Sequence, residues 1–191
     1  MDVYINGEFV ATVNANAREA VTVAQRHLPP GFGFGRIWID GTAYAGVEAL
    51  EEIGNVMCQR LDLEALSVGE LADQVASSVL AYVARLIPFV EDLAWSLRFN
   101  ESAPLQRLEV LASAIEYVEM AQKGVAAADR LQGRKDEGIE AQRLVEHLED
   151  VIRALEQGDT VGAADILEYV MCPVLRMIEA RMRARVGATG V

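Results

Sequence analysis

The sequence predicts an α+β protein, in which a small β-rich head at the N-terminus is followed by an antiparallel four-helix bundle. In the first 65 residues, alternating apolar and polar residues flank the tight-turn pairs Asn6-Gly7 and Asp40-Gly41, a pattern typical of β-hairpins. Over residues 66–187, apolar residues recur every three or four positions, as in amphipathic helices. Such helices bury their apolar stripes most simply against one another, so an up-down bundle is expected. Residues 188–191 are predicted to be a frayed tail.

The head is predicted to have the element order β-β-α-β-β. Its helix begins at Ala17, because Asn16 and Glu19 have the spacing of an N-cap and its reciprocating acid. The segment Asn55–Leu63 leaves two alternatives open, a fifth strand or the lead-in to the bundle. We favour the strand, because without it the sheet would stay small and open-edged. This element order resembles the β-grasp, or ubiquitin-like, arrangement at the level of topology.

The bundle is predicted to contain four helices with recognisable starts and stops. The capping box Ser67-Val68-Gly69-Glu70 begins the first helix. Gly133 and Gly158 end the second and the third. Pro88 and Pro173 lie inside the first and fourth helices, where a missing backbone donor predicts a kink or a break.

Composition limits the classes of partner. The chain has 191 residues, of which 52% are apolar and 24% are charged, as in a globular protein. Its formal net charge of -12 disfavours nucleic acid and anionic membranes as partners, because both bind through an excess of Lys and Arg. Cys58 and Cys172 stand far apart in apolar surroundings, which is not the pattern of a disulfide framework. Neither a basic leader nor an apolar run of about 18 residues is found in the sequence. A reducing cytoplasm, without a membrane span, is therefore the expected location.

The sequence offers no pattern that predicts catalysis, a metal or a cofactor. Di-metal bundles need a Glu three residues before a His, but Leu144 stands three before His147. The glycine-rich loop Gly31–Gly35 is followed by a strand-like segment and not by a helix whose N-terminus could meet a phosphate. No Gly-x-Ser-x-Gly elbow occurs in the sequence. We therefore expect no cofactor, no metal and no catalytic residue, and an enzyme is disfavoured.

Two bulky apolar stretches predict an interaction surface on the bundle. Phe89, Trp95 and Phe99 occupy more than one side of the first helix, so a narrow core stripe cannot hold them all. Tyr169 and Met171 lie in a similarly broad apolar arc of the fourth helix. Either the head packs against these residues or a protein partner does. The predicted function is a non-enzymatic, cytoplasmic, bacterial interaction module of the adaptor or chaperone type, which self-associates as a homodimer.

In architecture and charge the predicted bundle resembles the flagellin-type secretion chaperones, which are small, acidic and cytoplasmic. The resemblance implies a protein client, and it extends to no shared motif. The alternative function is a sensor that binds a small molecule between head and bundle. Its pocket would be lined by aromatic side chains, as ligand sites commonly are. These residues are Phe32, Phe34, Trp38 and Trp95.

Overall fold

A computed structural model shows the chain as an α+β protein, with a five-stranded sheet followed by a helical region. The structure describes residues 1–14, 16–45, 58–99, 105–134 and 141–188. The chain divides into two compact units, Met1–Leu71 and Ala72–Val191, whereas the predicted division lay at residue 65. The predicted fold class is confirmed.

The first unit contains five strands and one helix. They are β1 (Asp2–Ile5), β2 (Glu8–Thr12), α1 (Ala17–Gln25), β3 (Phe32–Ile39), β4 (Thr42–Ala45) and β5 (Arg60–Ser67). The sheet order is β2-β1-β5-β3-β4, with β1 parallel to β5 and the other neighbours antiparallel. This arrangement is consistent with the predicted β-grasp-like topology. The fifth strand favoured by the sequence is present from Arg60, while residues 46–57 lie outside the described residues.

Local turn and cap chemistry positions the elements of the first unit. Both residues of Asn6-Gly7, and both of Asp40-Gly41, have positive φ, as a type I′ turn requires. Helix α1 is capped by Asn16, whose Oδ1 accepts a hydrogen bond from the N–H of Glu19 at 3.0 Å. One face of the sheet packs against α1 and forms a small apolar core. Its buried side chains are Val3, Ala17, Ala20, Val21, Ala24, Ile37, Ile39, Leu61 and Leu63.

The helical region begins at the predicted capping box. The N–H of Ser67 donates to Glu70 Oε2 at 2.8 Å, and the N–H of Glu70 donates to Ser67 Oγ at 3.2 Å. The Ser67 hydroxyl and N–H groups also lower the pKa of the Glu70 carboxyl. The elements that follow are α2 (Val68–Arg98), α3 (Leu105–Leu131), α4 (Ala141–Glu156), α5 (Thr160–Ile166), a π-helical segment (Leu167–Met171) and α6 (Cys172–Ala188).

The two prolines inside predicted helices have different consequences. Helix α2 runs through Pro88 without a break, because neighbouring side chains such as Val90 are buried and hold it in place. The predicted fourth helix is interrupted just before Pro173 by the π-helical segment. There the N–H of Cys172 donates to the carbonyl of Leu167, five residues back. This wider turn accommodates a residue that has no N–H to donate.

One continuous apolar core holds the helical unit together. Helices α2, α3, α4 and α6 and the π-helical segment all contribute large side chains to it, and each such burial stabilises the fold by roughly 1.5–3 kcal/mol. The largest fully buried side chains are Leu93, Leu97, Leu111, Ile115, Leu144, Leu167, Met171, Leu175 and Ile178. None of the described helices is long and apolar enough to cross a membrane.

A nearly buried arginine joins three helices of this unit. The distance from Nε of Arg185 on α6 to Oδ1 of Asp73 on α2 is 2.9 Å. Nη1 of Arg185 donates a hydrogen bond to Oδ1 of Asp129 on α3. The side chain of Arg185 is only 10% exposed and that of Asp129 only 13%. Because an unpaired charge is costly in such surroundings, the three side chains depend on one another.

We expect Arg185→Met to lower the free energy of unfolding by about 3 kcal/mol, since it leaves Asp73 without its counter-charge and Asp129 with only the more distant Arg134, 3.9 Å away. Arg183→Met is the matched control, because the pair of Arg183 with Glu179 is exposed and such pairs contribute roughly 0–1 kcal/mol. Urea unfolding followed by circular dichroism measures both variants. Equally small effects for the two would contradict the structural role of Arg185.

Candidate interaction surface

Two large aromatic side chains lie at the C-terminal end of α2, Trp95 within the helix and Phe99 directly after its last residue. Successive residues of a helix are separated by about 100°, so Trp95 and Phe99, four residues apart, share one face. Val90, Leu93 and Leu97 lie on the opposite side of the helix and are fully buried. Trp95 and Phe99 are 58% and 63% exposed. The helix therefore presents an apolar face to solvent as well as one to the core.

The rings of Trp95 and Phe99 pack against each other. Their centroids are 4.6 Å apart, and their planes are inclined by 43°. Aromatic pairs at this separation contribute about 0.5–1.5 kcal/mol beyond the area they bury. The contact joins the two rings into one continuous apolar surface.

Arg98, which lies between Trp95 and Phe99 in the sequence, lies against a third exposed ring. Tyr169, in the π-helical segment, is 63% exposed, and its ring centroid lies 5.5 Å from the guanidinium carbon of Arg98. The guanidinium also contacts Asp165 Oδ1 at 2.6 Å and Glu168 Oε2 at 2.7 Å. The hydrogen bond to Asp165 raises the pKa of Arg98, so the charge is retained. We define the aromatic ridge as Trp95, Phe99 and Tyr169.

Ion pairs flank the aromatic ridge on both sides of α2. Arg107 of α3 donates to Asp92 Oδ2 at 2.5 Å, and its guanidinium carbon lies 5.2 Å from the ring centroid of Phe89. Arg176 of α6 donates to Glu91 Oε1 at 2.6 Å. Exposed pairs of this kind add little stability. Their main effect is to place a polar rim around an apolar centre, which is the anatomy of a protein interface.

The structure separates the five residues of the predicted surface into three groups. Trp95, Phe99 and Tyr169 are exposed and form the aromatic ridge. Phe89 is half-buried against the core of the helical unit. Met171 is fully buried, which corrects its prediction as a surface residue. The π-helical segment accounts for the error, because its wider turn directs Met171 to the core while Tyr169 stays outside.

The residues of the alternative pocket are divided between the two units. Phe32, Phe34 and Trp38 lie on β3, whereas Trp95 lies on α2. A bulge between Phe34 and Ile37 shifts the register of β3 against β5 by one residue. Because such a shift reverses the alternation of side chains, Phe34 packs on the core of the first unit and Trp38 lies on the other face of the sheet. Phe34 and Trp38 therefore do not line one pocket, which corrects that part of the prediction.

Metal-ligating and nucleophilic side chains are the other groups of the chain that could carry chemistry. Among the residues that the structure describes, no group of three or more His, Cys, Asp or Glu side chains is placed to hold a metal ion. Cys58 and Cys172 are free thiols. Burial raises the pKa of Cys172 to about 11, so its thiolate is scarce at neutral pH. Cys172 is therefore a core side chain and a poor nucleophile.

Because Trp95 lies on the surface, we expect Trp95→Ala to change the free energy of unfolding by about 1 kcal/mol or less, chiefly through the lost contact with Phe99. Leu97→Ala, two residues further along the same helix, is the matched control. It removes a fully buried side chain and should cost about 2–5 kcal/mol. Urea unfolding measures both values, and a comparable large loss for the two variants would place Trp95 in the core instead.

Comparison with known proteins places the helical unit in a family. No curated protein and no solved structure matches the chain. A family model matches residues 74–180, which is more than half of the 191 residues and includes the whole aromatic ridge. The model carries the description "domain of unknown function". The chain belongs to this family, DUF8042.

Proposed function

We propose that this chain is a non-enzymatic, cytoplasmic protein-interaction module of the adaptor or chaperone type, which binds a protein partner through the aromatic ridge. The exposure of Trp95, Phe99 and Tyr169 together on a well-packed helical unit supports this proposal. Grouped apolar side chains on a surface typically mark a binding site. Trp, Tyr and Arg are also the residue types that carry most of the binding energy in protein interfaces, and Arg98 adds the third of these types.

The rim of the ridge indicates the chemistry of the partner. The carboxylates of Glu91, Asp92, Asp165 and Glu168 are each already paired with an arginine of the same chain. A partner with few charges would cover the ridge without breaking these pairs, whereas a buried charge without a counter-charge would weaken the complex. An amphipathic helix that lays its apolar stripe along the ridge meets this requirement.

Location and self-association are further parts of the proposal. Cys58 and Cys172 are free thiols, which are common in the reducing cytoplasm and less common in secreted proteins. The module also forms a homodimer in this proposal.

The test begins with the tagged full chain isolated from its own cells, followed by native mass spectrometry of what co-purifies. We expect a protein in fixed ratio with the chain. Titration calorimetry with that purified protein should show binding weakened by roughly tenfold or more in Trp95→Glu, because the substitution puts a charge at the centre of the contact. Phe9→Glu on β2 is the matched control, since Phe9 is 59% exposed and packs against the ring of Tyr4.

Phe9→Glu should bind the partner as the wild-type chain does, and circular dichroism should show both variants folded. Equal affinity of the wild-type chain and Trp95→Glu would contradict the role of the ridge. A small molecule bound in fixed ratio, in place of a protein, would favour the sensor function.

A further inference from the structure

Helix α3 has a second apolar stripe that the bundle does not bury. Its residues are uncharged, all are exposed, and they follow one another at alternating steps of three and four. Leu131 is 79% exposed and Met120 is 63% exposed. A single exposed apolar side chain is ordinary, but a row of them along one face is a feature of interaction surfaces. We define the α3 seam as Val110, Ser113, Tyr117, Met120, Gly124, Ala127 and Leu131.

The α3 seam is separate from the stripe that enters the core. Leu111, Ile115 and Val118 are buried on another side of the helix. Only Tyr117 of the seam has a ring contact within the chain, with Tyr82 at a centroid distance of 4.9 Å, among the described residues. A spacing of three and four residues over seven positions is the pattern by which two helices pack as a coiled coil. α3 is therefore apolar on two sides, and one of these sides has no cover.

A row of four exposed charged residues runs along one edge of the seam. Glu109, Glu116, Lys123 and Arg130 each stand one residue before a seam residue, and they repeat every seven positions. The first two are acidic and the last two are basic. Within the described residues Glu109 and Glu116 make no ion pair, while Lys123 pairs only with Glu119 of its own helix. The row is thus acidic in the N-terminal half of α3 and basic in the C-terminal half.

This charge pattern is complementary to itself when one copy of the helix is reversed. Two antiparallel copies of α3 place Glu109 against Arg130 and Glu116 against Lys123, so one dimer gains four opposite-charge contacts. In a parallel pair the row would face the other edge of the seam, where Ala114, Ala121 and Ala128 are buried and carry no charge. The net charge of the row is zero, although each chain carries a formal net charge of -12, so the row itself adds no repulsion between two copies.

The seam itself permits a close approach of two helices. Ser113, Gly124 and Ala127 are small, and a Cβ atom added at Gly124 would have no neighbour within 4 Å. The larger side chains, Tyr117 and Met120, lie near the middle of the seam and can fill the space that small residues of a second copy leave.

We infer that the α3 seam is the contact between two copies of this chain, which pack antiparallel about a two-fold axis near the middle of α3. This inference specifies the surface of the proposed self-association, and it does not depend on the partner that the aromatic ridge binds. A self-complementary patch of this kind closes as a dimer and does not extend into a fibre.

Sedimentation velocity of the full chain over a range of concentrations tests the inference. The wild-type chain should sediment as a species of twice 20.8 kDa. Met120→Glu should raise the dissociation constant by roughly tenfold or more, because it puts two like charges near the axis. Trp95→Glu should leave the dimer unchanged, so that failure of the seam and failure of the ridge give different results.

A charge exchange tests the antiparallel arrangement. Glu116→Lys should weaken the dimer by roughly tenfold, because each new side chain faces Lys123 of the other copy. Combining Glu116→Lys with Lys123→Glu restores opposite charges, and the dissociation constant should return to within roughly threefold of the wild-type value. A variant that only disturbed the fold would show no such recovery.

Three results would overturn the inference. They are a wild-type chain that stays monomeric at every concentration, a dimer that Trp95→Glu dissociates while Met120→Glu does not, and a double variant that binds no better than Glu116→Lys. The second result would assign self-association to the aromatic ridge.

Discussion

Burial of one apolar stripe from each long helix holds the helical unit together, and the other features of the unit depend on which stripe is chosen. On α2 the stripe of Val90, Leu93 and Leu97 enters the core, so Trp95 and Phe99 must face solvent. On α3 the stripe of Leu111, Ile115 and Val118 enters the core, so the α3 seam stays exposed. A helix that is apolar on two sides can bury only one of them within a single bundle. The other side then remains available to a second molecule.

Arginines organise the polar contacts around this core. Arg185 is nearly buried where α2, α3 and α6 meet, and the side chains of its two carboxylate partners, Asp73 and Asp129, are 24% and 13% exposed. Arg98, Arg107 and Arg176 instead lie at the surface and join α2 to its neighbours beside the aromatic ridge. Pairs of the second kind add little to stability. Their charged groups lie beside the aromatic ridge and form its polar rim.

The sequence was sufficient to predict those features that depend on local chemistry. The two type I′ turns, the Asn16 cap and the Ser67 capping box follow from the hydrogen-bonding groups of a few adjacent residues, and all are present. Features that depend on register or packing could not be predicted in this way. The bulge after Phe34 moves Trp38 to the other face of the sheet, and the π-helical segment moves Met171 into the core. The exposed α3 seam was not predicted, because periodicity alone does not tell which of two apolar stripes of a helix is buried.

The central claim is that other protein molecules cover the exposed apolar faces of the helical unit in the functional assembly. Hydroxyl-radical footprinting of the wild-type chain tests this most directly, by comparing the assembly isolated from its own cells with the purified chain at high dilution. We predict that Trp95 and Met120 are oxidised in the dilute chain and protected in the assembly, while Met171 is protected in both because it is buried. Equal oxidation of Trp95 and Met120 in the two samples would contradict the account.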